Sequence, residues 1–179
     1  MLHHMRVNVG EALEVFAKDW LYGKSDLIGV EIGSYAGESA EIFLKSKAFK
    51  KLYCIDPWEI GYDPNDFAGD EGIYLAEKVF DEKFENNPIV TKLKMKSFDA
   101  SRLFELDSLD FVYIDGNHQY EFVKSDLINY YPRVKKGGII SGHDYEWKGT
   151  PDVKKAMDEF FKKPPLKKYA DHSWLYIKE

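Results

Sequence analysis

One cysteine, Cys54, among 179 residues rules out an internal disulfide. It lies in a strand-like run, so the expectation is a buried, inert thiol in a reducing compartment. No apolar run approaches the ~20 residues that cross a bilayer. The opening MLHHMRVNVG lacks the apolar centre of a signal peptide. These absences predict a cytoplasmic protein without a membrane partner. Low-complexity tracts, internal repeats and interdomain linkers are lacking too. Nor is there an excess of positive charge: 25 Lys and Arg face 31 Asp and Glu, a formal net charge of −6. That balance gives no general attraction for a phosphate backbone, which disfavours nucleic acid as a partner. The basic run KKPPLKK near the end reads as a solvated face. The pyrophosphate signature G-x-G-x-x-G is missing as well.

What is present is an alternation of helical and strand-like segments in a chain long enough for one domain and one core. EALEVFAKDWLYG sets Leu13, Phe16, Ala17 and Trp20 on one helical face, with Gly23 as a stop. Residues 1–24 thus form an N-terminal helix, and 25–179 the core. DLIGVEI, KLYCID, PIVTKLKM, LDFVYID and GGIISG read as strands, with helical spacing in GESAEIFLKS, IYLAEKVFDEKFEN, SFDASRLFEL, YEFVKSDLINYYPRV and DVKKAMDEFFKK. In the fourth of these helices the inward residues are expected to be Phe122, Val123, Leu127 and Tyr130. LKKYA and SWLYIKE are too close for a crossover helix and should pair antiparallel through a turn at Asp171 and His172. The expected fold is an α/β Rossmann-like three-layer sandwich with a mostly parallel sheet. In such sheets ligands bind at the carboxyl ends of the strands. Glu31, Asp56, Asp115, His143 and Asp144 all fall there. Between Asp56 and the following helix, PWEIGYDPNDFAGDEG is long for a connection. Its Trp58, Tyr62 and Phe67 are expected to cap a cofactor or acceptor.

The turn GVEIGSYAGESA poses the functional question. Its glycines, Gly33 and Gly37, allow a tight bend and a close approach to the helix start. Glu31 precedes them, and a carboxylate beside a pyrophosphate would be repelled. It suits a ligand carrying an ammonium or sulfonium, as S-adenosylmethionine does. Ser34 and Ser39 offer hydroxyls, and the helix-start amides can meet a carboxylate. Asp56 lies 23 positions after Gly33, where an acid commonly accepts hydrogen bonds from ribose hydroxyls. Trp58 follows it and could cover the sugar or base. Ser97 and Phe98 fall after the third strand, placed for one polar and one apolar contact to adenine.

VEIGSYAGESA, YCIDPWE and LDFVYIDGNHQYEFVKSDLINYYPRVKKGGIISGHDY resemble the class I S-adenosylmethionine-dependent methyltransferases. The D-G-x-H-x-Y and G-H-D-Y segments are similar to those of a small-molecule O-methyltransferase-like subgroup. The resemblance implies a seven-stranded sheet with an antiparallel last strand. It implies a cofactor lying across Glu31, Gly33, Ser34, Gly37, Asp56 and Ser97, with Tyr35, Ser39, Trp58, Phe98 and Asp115 completing the expected contacts. The implied acceptor is a hydroxylated small molecule, with a divalent metal needed by some relatives.

Methyl transfer from a sulfonium needs an aligned acceptor and, for a hydroxyl, a place for its proton. Asp115, His143 and His118 are the candidate catalytic residues. In one reading Asp115 and Asp144 bind a cation, Mg or Mn, aided by an imidazole. In the other, His143 or Asp115 is a general base without metal. His118 could instead only shape the loop after Gly116. Two other functions stay open: a catalytically silent S-adenosylmethionine-binding subunit completed by a partner or a second copy, and an NAD-dependent dehydrogenase, against which Glu31 and the glycine spacing argue.

Overall fold

The computed structural model describes residues 3–63 and 69–179, with the side chains of 3–9 and 69–71 outside the description. The chain orders α1 (His3–Trp20), β1 (Leu27–Ile32), α2 (Glu38–Lys45), β2 (Phe49–Asp56), α3 (Gly69–Phe84), β3 (Val90–Lys94), α4 (Ser97–Ser101), β4 (Leu109–Ile114), α5 (Tyr120–Tyr130), β5 (Val134–Gly142), α6 (Pro151–Phe161), β6 (Lys167–Lys168) and β7 (Trp174–Ile177). Seven strands form one sheet in the order β3-β2-β1-β4-β5-β7-β6. The pairs from β3 to β5 are parallel, and β7 runs antiparallel to β5 and β6. This is the expected α/β Rossmann-like fold. The last two strands turn back through His172, whose φ is 70°.

The central strands carry apolar residues on both faces because helices cover both. Val30, Ile32, Val112, Ile114 and Ile140 face Val123, Leu127 and Tyr130 of α5 and Val153, Ala156 and Met157 of α6. On the opposite face Phe111, Tyr113 and Leu175 meet Leu13, Phe16 and Ala17 of α1, Phe43 of α2 and Phe80 and Phe84 of α3. Cys54 is buried in this second layer, and burial holds its thiol well above the usual range.

Chain order reverses across the sheet between β1 and β4, which opens the crevice where ligands bind in such folds. Gly33 shows how tightly the two strand ends meet. Its φ is +85°, and a Cβ there would stand 1.9 Å from the Asp115 carbonyl oxygen. Gly37, with φ +77°, leads into α2, and a Cβ on it would stand 2.4 Å from the Phe84 ring. Both glycines are thus required by the protein's own packing.

Two expectations are corrected. Phe122 turns outward, 37% exposed, and Asp126 is buried in the same helix instead. Also, α3 begins at Gly69, inside the stretch expected to be irregular up to Gly72. Trp20 is half-buried, and its indole N–H donates to the Tyr169 hydroxyl at 2.7 Å.

Candidate functional site

Glu31 sits at the penultimate position of β1, on the sheet face that carries α1 and α2, and is fully buried. The Ser39 hydroxyl donates to its Oε1 at 2.5 Å. Its Oε2 has no hydrogen-bond partner among the described residues, and neither has the buried Ser34 hydroxyl. Burial pushes the Glu31 carboxyl up to about 7, against the pull of the neighbouring Ser34 and Ser39 hydroxyls. A buried polar oxygen left unpaired costs about 1–3 kcal/mol. That cost falls away when a cationic group occupies the bend. Glu31, Ser34 and Ser39 thus lie together at the bend that Gly33 opens, with Glu31 Oε2 and the Ser34 hydroxyl unpaired among the described residues.

Asp56 ends β2 and braces two turns. Its Oδ2 accepts from the Tyr35 amide at 3.0 Å and its Oδ1 from the Trp58 amide at 2.7 Å. The Trp58 indole N–H returns to the Tyr35 carbonyl at 2.9 Å. Tyr35 and Trp58 both hold left-handed backbone conformations, with φ 45° and 43°, a strain that such bracing sustains. Trp58 is buried, tilted against Phe80 with the Lys92 ammonium over its ring. Of the other capping residues, Tyr62 lies edge-on to Phe122, and Phe67 lies outside the described residues.

Ser97 and Phe98, at the start of α4, separate. The Ser97 hydroxyl is buried and donates to Asp126 Oδ1 at 2.5 Å. Phe98 is half exposed, with the Arg102 guanidinium over its ring.

At the ends of β4 and β5, Asp115, His118, His143 and Asp144 converge. His118 Nε2 faces Asp144 Oδ2 at 2.7 Å and Asp115 Oδ1 at 3.7 Å. His143 Nδ1 faces Asp144 Oδ1 at 2.9 Å and Asp115 Oδ1 at 3.9 Å. Burial alone would lower both imidazoles. The bonds and charges of the two carboxylates win, raising His118 to about 11 and His143 to about 9. The same contacts hold Asp144, despite its burial, well below the usual carboxylate range. Both shifts favour the protonated rings, which donate hydrogen bonds to the carboxylates.

A fifth member was missed. Asp63 Oδ2 accepts from the His118 amide at 3.0 Å and lies 2.8 Å from His118 Nδ1. Asn117 donates to the Tyr62 carbonyl at 2.7 Å beside it. The residues of DPND had no periodic signal, although an acid in an over-long loop near a strand end was the available clue.

One ligand atom each from Asp115, His118 and Asp144 lies within 4.8 Å of the others. Two carboxylates are the donor type a divalent cation takes, although both Asp144 oxygens already face imidazole nitrogens. His118 fits less well, because both of its nitrogens already face carboxylate oxygens.

The family described as Methyltransferase domain matches residues 30–145. An uncharacterized protein of Acanthamoeba polyphaga mimivirus is 33% identical over 162 residues, 87% of this chain and 69% of that protein. Among solved structures, the O-methyltransferase NovP aligns with TM-score 0.62 at 21% identity, covering 96% of this chain and 78% of its own. Spermidine synthase from Thermotoga maritima aligns with TM-score 0.55 at 15% identity, covering 91% and 56%. These two likenesses are of fold alone.

Proposed function

Since this chain belongs to the Methyltransferase-domain family and is an S-adenosylmethionine-dependent methyltransferase, we propose that it methylates a hydroxyl of a small-molecule acceptor. The observation that carries the cofactor part of the reading is Glu31, a fully buried carboxylate whose Oε2, like the neighbouring Ser34 hydroxyl, has no hydrogen-bond partner among the described residues. A ligand ammonium answers that pair, and a diphosphate would be repelled by it.

In this proposal Glu31, Ser34 and the amides opening α2 receive the amino-acid end of the cofactor. The bend at Gly33 brings backbone close to it, and Asp56 faces the ribose. When bound, the cofactor supplies an activated methyl on a sulfonium. Asp115, less buried than Asp144, takes the acceptor's proton. His118 donates to Asp63 and Asp144 and His143 to Asp144, and the two rings keep the carboxylates of Asp115 and Asp144 from repelling each other. In the alternative reading with a metal, Asp115 and Asp144 would hold a Mg or Mn ion in place of their imidazole contacts, and such an ion lowers the pKa of a bound hydroxyl.

The test is calorimetric titration of the protein with S-adenosylhomocysteine and, separately, NAD. Then follows turnover of S-adenosylmethionine against phenols and sugars, with and without Mg²⁺ or Mn²⁺. Binding of S-adenosylhomocysteine and acceptor-dependent turnover support the proposal. A response to NAD alone overturns it, and cofactor binding without turnover of any hydroxylated acceptor leaves a silent binding subunit in its place.

A further inference from the structure

The segment that follows β2 reaches across the carboxyl edge of the sheet. It starts at Asp56, the last residue of β2, and by Asp63 it has met the turn after β4. The sheet order β2-β1-β4 places the end of β1 between those two points. Two successive residues of the segment bond two successive residues of the turn. The Asn117 side chain donates to the Tyr62 carbonyl at 2.7 Å, and its own oxygen accepts from the Gln119 amide at 3.0 Å. The His118 amide donates to Asp63 Oδ2 at 3.0 Å, and ring Nδ1 of His118 meets the same oxygen at 2.8 Å. Each pair is 55 residues apart in the chain, so no local turn requires it. The Asp63 side chain is only 8% exposed, so water competes little for its bonds.

Fastening a loop needs only the bond to the main chain. The contact with the ring does something more. His118 Nε2 lies 2.7 Å from Asp144 Oδ2 and 3.7 Å from Asp115 Oδ1, so two carboxylates compete for it. The torsion that turns an imidazole has a broad minimum, and one held nitrogen aims the other. With Asp63 on Nδ1, Nε2 is committed to Asp144. Without that hold the ring can turn toward Asp115. A group that removes a proton needs a lone pair open toward it.

Resting on the methyl-transfer reading above, in which Asp115 takes the acceptor's proton, we propose that Asp63 is a positioning residue for that step: it holds Nδ1 of His118, commits Nε2 to Asp144 and so keeps Asp115 open to the acceptor. Asp63 acts through His118 and touches no reacting atom. The geometry it maintains is the kind in which a displacement of about 1 Å costs about a hundredfold in rate.

The experiment is a double-mutant cycle on turnover with Asp63→Ala, His118→Ala and the pair, alongside S-adenosylhomocysteine affinity and melting temperature. His118→Ala keeps the main-chain amide that bonds Asp63, so an acid that only fastened the loop would matter equally in that background. Asp63→Ala is expected to lower kcat roughly 10–100-fold in the wild type, with KM for S-adenosylmethionine within about threefold. In the His118→Ala background the same substitution should cost about twofold or less. Asp63→Asn, whose oxygen accepts both donors without charge, should fall between wild type and Asp63→Ala and also keeps the test open where Asp63→Ala does not fold. Equal losses in the two backgrounds overturn the inference, as does a change in KM or affinity with kcat intact. Folded Asp63 variants as fast as an active wild type overturn it too. A wild type that turns over no acceptor instead fells the methyl-transfer reading, and the inference with it.

Discussion

Replacing Glu31 with Gln should stabilise the empty protein while weakening its hold on ligand. Burial moves the carboxyl from an ordinary 4.5 to about 7 in the folded chain. Because the folded state binds the proton more tightly than the unfolded one, stability falls as pH rises from 4.5 to about 7 and then levels. Between about pH 5.5 and 7 that is roughly 1.5 pH units at 1.36 kcal/mol each, or about 2 kcal/mol. Gln escapes this loss and keeps an oxygen for the Ser39 hydroxyl. Asp126, His118 and His143 titrate in both proteins, so their contributions cancel in the comparison. For a domain of this size the variant's advantage in melting temperature should grow by about 4–8 °C between pH 5.5 and 8. Differential scanning calorimetry at the two pH values measures it. Affinity for S-adenosylhomocysteine at about pH 8 should fall by about 1.5–3 kcal/mol, the worth of a hydrogen bond to a charged group. A variant whose stability relative to wild type is the same at both pH values would refute the reasoning, because Glu31 would then carry no burial penalty.

Three further outcomes follow from the geometry. Gly33→Ala drives a Cβ into the Asp115 carbonyl at a left-handed φ, so chemical melts should show about 3 kcal/mol or more of lost stability. Asp115→Asn should leave the fold intact while turnover drops roughly 10²–10⁴-fold; unchanged turnover removes Asp115 as proton acceptor. Asp144→Asn removes one of the two charges, after that of Asp115, that raise both imidazoles. In the wild type the His143 contribution to stability is full below its unfolded value of 6.5 and is lost as pH rises through about 9. In the variant that loss should come nearer neutrality, read by histidine NMR titration and melts at about pH 6 and 9.

The parallel core and the antiparallel close were readable because β1, β4 and β5 are short apolar runs between helical periods, and SWLYIKE follows its partner too closely for a crossover. The face of α5 was misread at one position, since hydrophobic spacing counts Phe122 as core and has no way to favour a buried acid at Asp126. The acid before Gly33 was readable as a cofactor signal, but its unpaired oxygen comes from three-dimensional packing. The glycines were read as room for a ligand, whereas contacts with Asp115 and Phe84 across the fold impose them. Asp63 escaped notice because its partner, His118, is 55 residues away, and no local pattern links them.

The most direct measurement is a crystal structure of the protein with S-adenosylhomocysteine. The account predicts the ligand's amino nitrogen within about 3.2 Å of Glu31 Oε2, the distance of a charge-assisted bond. A ligand bound with its amino group turned away from Glu31, or phosphate groups seated in the Gly33 bend in preference to it, would contradict the account.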